Sequence, residues 1–180
     1  MTTQIWTIDA AHSEVGFAVR HLMISTVKGR FADVKGAVEF ADNADPKLDV
    51  TIGVASIDTR EGKRDAHLRS ADFFDAEKYP EIRFVSTKAV RADGGWKITG
   101  NLTMHGVTKP VTLDVTEEGT GRDPWGNERM GFSALGKLDR REFGLTWNAA
   151  LETGGVLVGD EIKLSIDAEL VKQAAAVKAA

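Results

Sequence analysis

Apolar and polar residues alternate along most of this chain, the mark of β-strands with one buried face. Val15, Phe17 and Val19 share one side of a strand, with Glu14, Gly16, Ala18 and Arg20 on the other. Val34, Gly36, Val38 and Phe40 form a second row, and Leu48, Val50, Ile52 and Val54 a third. Ile82 and Phe84 follow, then Trp96, Ile98, Leu102 and Met104 opposite Lys97, Thr99, Asn101 and Thr103. Val111, Leu113 and Val115, then Met130, Phe132 and Leu138, then Ile162, Leu164, Ile166 and Leu170 complete the series. About eight strands result, each apolar on one side, which excludes a parallel α/β sheet covered on both faces.

Turn residues punctuate these rows. Asp93-Gly94-Gly95 and the connection from His105 to Pro110 read as hairpins, while Asp42 to Pro46 and Gly119 to Asn127 read as longer loops. The spacing predicts one helical insert over about Glu61 to Phe74, docking Leu68, Phe73 and Phe74 and leaving Arg64, Asp65 and Arg69 wet. The alanine-rich end from Gln173 to Ala180 reads as a helical or frayed tail. No linker or repeat interrupts the pattern, so a single domain over residues 5–171 with a tail at 172–180 is expected. Alternation cannot separate a barrel from a two-sheet sandwich, but sequential hairpins favour the barrel. The expected fold is therefore all-β, an eight-stranded antiparallel barrel with a short helical insert. Gly36, Gly100 and Gly136 fall within apolar rows, where they either allow a sharp bend or leave room for a guest.

Composition narrows the function. With 180 residues, 42% of them hydrophobic and 28% charged, the chain has material for a sizeable core and is not disordered. Twenty-three basic against 27 acidic residues give a net charge of −4, which argues against nucleic-acid binding. The absence of cysteine excludes disulfides, thiolate catalysis and cysteine zinc sites. His12, His21, His67 and His105 show neither HxH nor HExxH spacing, so no metal or other cofactor is expected. His12-Ser13 lacks a nucleophile elbow, and Asp9 and Ser13 read as turn-formers bonded to local backbone. No run approaches the roughly 20 apolar residues of a membrane-spanning helix. The N-terminus lacks a signal-peptide pattern, so a cytoplasmic protein is expected, although a chain trimmed of its signal would look the same.

A barrel of this size can hold one slender ligand. The candidate wall is Phe17, Val19, Phe31, Val38, Phe40, Ile52, Phe74, Ile82, Phe84, Trp96, Ile98, Phe132 and Leu164. His21 ends the first inward row, as a histidine satisfied by a backbone carbonyl or as a contact for a head group. Arg64, with its charged neighbours, is either a solvated surface group or an anchor for an anionic head group at the mouth. Arg140-Arg141-Glu142 admits the same two readings, and Trp125 should be exposed or act as a lid.

Several motifs in order resemble the YceI-like family of polyisoprenoid-binding proteins. They are the run from Ile8 to Phe17 with His21, Gly29-Arg30-Phe31, Gly36 to Phe40, Arg64 to Asp75, Tyr79 to Phe84, Gly100 to Thr103, Gly106 to Val111 and Arg140 to Leu145. The resemblance covers about residues 5–170. It implies an extended, lipocalin-like barrel whose apolar pore takes a long-chain isoprenoid or a fatty-acyl lipid, in a family where many members are exported and some form homodimers. The expected function is non-catalytic binding, as carrier or sequestering protein. The alternatives are a lipid-modifying enzyme with His21 or His67 as general base, and a stress-response scaffold whose lipid is incidental.

Overall fold

The structure, a computed structural model, describes residues 2–174. Its strands are β1 (Thr3–Ile8), β2 (Glu14–His21), β3 (Ser25–Phe31), β4 (Val34–Ala41), β5 (Lys47–Gly53), β6 (Ile57–Asp58), β7 (Glu81–Ala92), β8 (Gly95–Met104), β9 (Val107–Arg122), β10 (Glu128–Asp139) and β11 (Glu161–Lys172). A single α-helix among the described residues, α1 (Gly62–Arg69), lies between β6 and β7. Strands β1-β4-β5-β7-β8-β9-β10-β11 form an antiparallel ring of eight that the β1–β11 pairing closes. The barrel, rather than the sandwich, is the fold.

The closing strand is β1, which the alternation does not reveal. β11 pairs with β1 through Leu170 to Lys172, then with β2 through Lys163 to Asp167. One edge of β11 is thus shared by two strands laid end to end, and the chain must cross the seam between them. Asp9 N donates to Glu169 O at 2.9 Å, and Ser13 Oγ accepts from Glu169 N at 3.0 Å. A side-chain hydroxyl therefore takes up a backbone donor that no strand reaches, so Ser13 bonds across to β11 instead of locally. Asp9 caps the short 3₁₀ turn Ala10–His12, accepting from Ala11 N at 3.0 Å. Its other oxygen meets Arg129 at 2.8 Å, and Arg129 also pairs with Asp123 and Glu169.

Beyond the seam the sheet continues as β2-β3-β6, and β6 ends it with an open edge. Exposed strand edges need cover, and here α1 supplies it. Glu61 caps the helix, accepting from Lys63 N and Arg64 N. Arg64 then donates to Thr59 O and Thr59 Oγ1, both at 2.7 Å, and Arg69 to Ala55 O and Ile57 O. Asp65, 7% exposed, accepts from Thr59 N at 2.9 Å and from Thr59 Oγ1 at 2.5 Å. The expectation that Arg64, Asp65 and Arg69 stay wet is thus corrected: an eight-residue helix with little apolar surface is held by its charged side chains. The helix is also shorter than expected, because Ser70 caps the His67 carbonyl and the chain turns so that Phe74 N bonds Leu68 O.

Three smaller expectations also change. The β8–β9 turn is only His105-Gly106, both at positive φ, and β9 begins at Val107 with Pro110 inside the strand. β9 also runs on to Arg122, leaving residues 123–127 as the turn before β10. Lys172 still belongs to β11, and Gln173 N donates to Ile5 O at 2.8 Å. The expected tail from residue 175 onward lies outside the described residues.

Arg140, 3% exposed, follows β10 and ties down the segment before β11. It donates to the carbonyls of Leu145 at 2.6 Å, Gly159 at 2.8 Å and Trp147 at 2.9 Å, and more weakly to Val158 O and Asp160 at 3.4 Å. Burial pulls its pKa below the usual arginine value. The outer wall is charged, with cross-strand pairs Arg83–Asp49, Arg91–Glu117 and Lys97–Asp114, unlike the apolar outer band of a membrane barrel.

The seam makes stability depend on acid. Hydrogen bonds from Arg129 and then His12 hold the Asp9 carboxyl down at about 2. This folded value lies below the unfolded one of about 3.9, so the contribution is complete above about pH 4 and is lost as pH falls through the folded pKa. Urea unfolding between these limits should show Asp9→Asn with a flatter loss than the parent; an identical acid limb would show that the seam does not need this charge. Around α1, Phe73 is 7% exposed while Phe74 is half-buried at 5.7 Å from Phe31. Phe73→Ala should cost about 3–5 kcal/mol and Phe74→Ala about half as much. Denaturant midpoints that rank the two the other way would contradict this packing.

Candidate functional site

The inward rows of the barrel meet around a cavity of about 260 Å³. Of the residues expected to form its wall, Phe17, Val19, Phe31, Val38, Phe40, Ile52, Phe74, Ile82, Phe84, Trp96, Ile98, Phe132 and Leu164 all line it. They come from every barrel strand except β1 and β9, and those contribute Ile8 and Val111, Leu113 and Val115. Carbon dominates the lining. Among its few polar residues, Ser13, Glu14, Ser133 and Asp167 are register neighbours beside the seam, and Arg140 lies beyond β10.

His21 and Arg64 do not line the cavity. His21 sits at the last position of β2, bridged to Val158 through the backbone. Arg64 is drawn away from the interior by its two bonds to Thr59. Arg140, the cation that does reach the wall, spends its donors on the carbonyls already named. His67 also lies outside the lining: its Nε2 meets Asp72 at 2.8 Å, and its ring packs edge-on to Trp147 and Phe73. Neither histidine considered as a general base therefore faces a guest. Trp125 is 82% exposed, in the β9–β10 turn.

Pattern reading missed parts of the wall that lie outside regular strands. These are Leu145 and Val158, from the segment that Arg140 holds; Leu68 and Phe73, expected to dock with the helical insert, line the cavity beside Phe74. Leu145 stood in a motif read for its charges. Val158 lies in a stretch with no periodicity, where no signal could have found it.

The strand glycines do not make the space. A Cβ at Gly100 would lie 2.4 Å from Phe84 Cζ, and one at Gly29 would lie 2.3 Å from Phe17 Cζ. At Gly136 the obstacle is Leu113 Cδ2 at 2.7 Å, and at Gly36 it is the β5 backbone, Asp49 O at 2.4 Å. Rings and strands lie over these glycines, so the room for a guest lies between the rings. Asp9, His12 and Glu169 bring possible metal-binding atoms within 4.8 Å of one another, but Arg129 already lies against both carboxylates.

The profile of the YceI-like domain matches residues 6–170, nearly the whole barrel. The chain belongs to the YceI-like family. It is 40% identical over 168 residues to Protein YceI of Salmonella newport, covering 92% of this chain and 84% of that one. The crystal structure of a Campylobacter jejuni YCEI protein is 37% identical, with a TM-score of 0.72 over 86% of this chain and 90% of that one. A polyisoprenoid binding domain from Saccharophagus degradans, at 15% identity, shares the fold with a TM-score of 0.69 over 93% of this chain and 98% of that one.

The stacking of Phe84 on Gly100 can be tested in this YceI-like barrel. Gly100→Val should destabilise by about 1–3 kcal/mol through overpacking, and a second change, Phe84→Leu, should recover part of that. If thermal melts show the two changes to be additive, the ring does not occupy the glycine's space.

Proposed function

We propose that the barrel binds a long-chain isoprenoid or a related amphiphilic lipid, tail inward, and carries or sequesters it without chemical change. The observation that supports this most is the cavity of about 260 Å³ walled by inward residues of all eight barrel strands. Left to water, its carbon-lined wall keeps a large apolar area hydrated, at a cost that grows with that area. Water is a poor filling, because it needs two to four polar partners. An apolar chain removes the cost. Membership of the YceI-like family and the fold shared with a polyisoprenoid binding domain support the same class of guest.

The tail supplies the affinity. Each isoprene unit is worth about 3–4 kcal/mol at about 0.8 kcal/mol per buried carbon, before the costs of association. Head-group selection by His21 or Arg64 has no support from their positions outside the wall, and a lipid-modifying enzyme using His21 or His67 is disfavoured for the same reason.

Two measurements test this. Mass spectrometry of organic extracts from the freshly purified protein should find a long-chain lipid. In titrations with a fluorescent polyprenyl probe, Ile98→Asp and Phe84→Asp should abolish binding by placing a charge in the apolar wall, while His21→Ala and Arg64→Ala keep the parent affinity. Aspartate variants that remain folded and bind like the parent would remove the cavity as the site.

A further inference from the structure

We propose that the hairpin between β2 and β3 docks the protein onto an anionic lipid bilayer, seating Leu22, Met23 and Ile24 among the head groups. These three consecutive apolar residues are 36%, 61% and 77% exposed. Val156, 37% exposed, extends the patch from the facing segment, which is bonded to the tip through Leu22 N and Leu157 O at 2.8 Å.

The backbone of the turn sharpens the point. Ile24 N donates to His21 O at 3.1 Å, and the two central residues, Leu22 and Met23, have φ of 52° and 61°. A turn left-handed at both central positions ordinarily takes Asn-Gly, because a bulky side chain there strains the backbone. Elsewhere the same chain turns its hairpins with Gly94 and Gly106. Retaining Leu and Met at a strained, exposed turn, where their side chains are not buried, points to a use for those side chains outside the fold.

Charge selects the partner. Lys28 and Lys163 flank Ala18 in register, and Arg20 lies two residues nearer the tip on the same outer face. Arg20 donates to Thr26 and to Met23 O rather than to a carboxylate, and the neighbouring acids Asp160 and Glu161 pair with Arg140, Arg141 and Lys137. The facing segment 150–158 contributes one acid, Glu152. Arg20 beside the apolar tip, with Lys28 and Lys163 behind it on the same face, gives a chain of net charge −4 a cationic flank at this end and turns it toward an anionic surface. A second copy fits less well, since a two-fold contact at the tip would oppose the same cations. Val19 and Val158, adjacent to the tip, also line the cavity, so docking would set that end of the cavity against the bilayer.

Docking does not depend on what the cavity holds, so vesicle flotation of the protein itself tests it separately from lipid extraction. Phosphatidylglycerol-containing vesicles should carry the protein up the gradient, less so at high salt, and pure phosphatidylcholine vesicles should carry little. Ile24→Asp and Lys28→Glu should lose most of the binding, whereas Leu135→Asp, at an exposed apolar position on the barrel wall, should keep it. The paired change Leu22→Asn with Met23→Gly should raise the melting temperature by relieving the turn, yet weaken flotation. Absence of flotation by the parent protein would overturn the proposal, as would full flotation by the Asn-Gly variant. So would a dimer in solution that Ile24→Asp dissociates without any vesicle binding.

Discussion

Backbone carbonyls that no strand can pair are the constraint around which this barrel is organised. At the β1 end the ring closes by strand pairing, and at the seam Asp9 N and Ser13 Oγ take up the backbone groups of Glu169 that no strand reaches. Past the seam the sheet runs out at β6, and the chain re-enters the barrel wall through α1 and the segment before β11. Arg64, Arg69 and Arg140 meet the exposed carbonyls there, between them reaching Ala55, Ile57, Thr59, Leu145, Trp147, Val158 and Gly159. A guanidinium suits the task, because its several N–H donors lie in one fixed plane and can serve carbonyls from different turns of chain. Leaving such groups buried and unpaired would cost about 1–3 kcal/mol each.

That use of arginine bears directly on the cavity. A cation beside an apolar chamber invites the reading that it holds an anionic head group. Here the donors are occupied by the fold: Arg140 reaches the cavity wall with its N–H groups directed at backbone oxygens and Asp160, and Arg64 does not reach the wall. On the proposed lipid-binding function, binding in the interior would rest on shape and apolar area, with little discrimination among heads. Length and stiffness of the chain become the natural selectors. The rings that fold over Gly29 and Gly100 belong to the same logic, since they shape the chamber from within while the strands beneath stay close.

The wall of the cavity was legible from alternation because an inward row of large apolar residues leaves a period of two wherever the strand is regular. Three strands escaped for identifiable reasons. In β1 the outward Ile5, 45% exposed, blurs the contrast with Trp6. In β3 one inward position is Gly29, whose missing side chain is replaced by the Phe17 ring, so the row reads as interrupted. β6 is two residues long. β7 was seen only in part: a bulge between Ser86 and Lys88 shifts the parity, so that Ala89 rather than residue 88 turns inward. Asp65 and Arg69 were misread because their i, i+4 spacing suggests a surface pair, whereas both side chains bond to residues 55–59, an edge that sequence cannot place beside the helix.

The two ends of the barrel consequently differ in kind. One is closed by strand pairing and by turns built on permissive residues such as Gly94 and Gly126. The other is assembled from a short helix, an arginine-held segment and a strained apolar hairpin. The aromatic contacts among His67, Phe73 and Trp147, with centroids 4.8–5.3 Å apart, are what join α1 to the segment before β11. Side-chain contacts and single hydrogen bonds open at lower free energy than a continuous ladder of strand pairs. On the proposed lipid-binding function, the end without a continuous ladder is the one whose wall can open to a long chain while the ring of eight stays closed. The apolar tip stands at that same end, so the part of the wall best able to open is also the part that would meet a lipid surface.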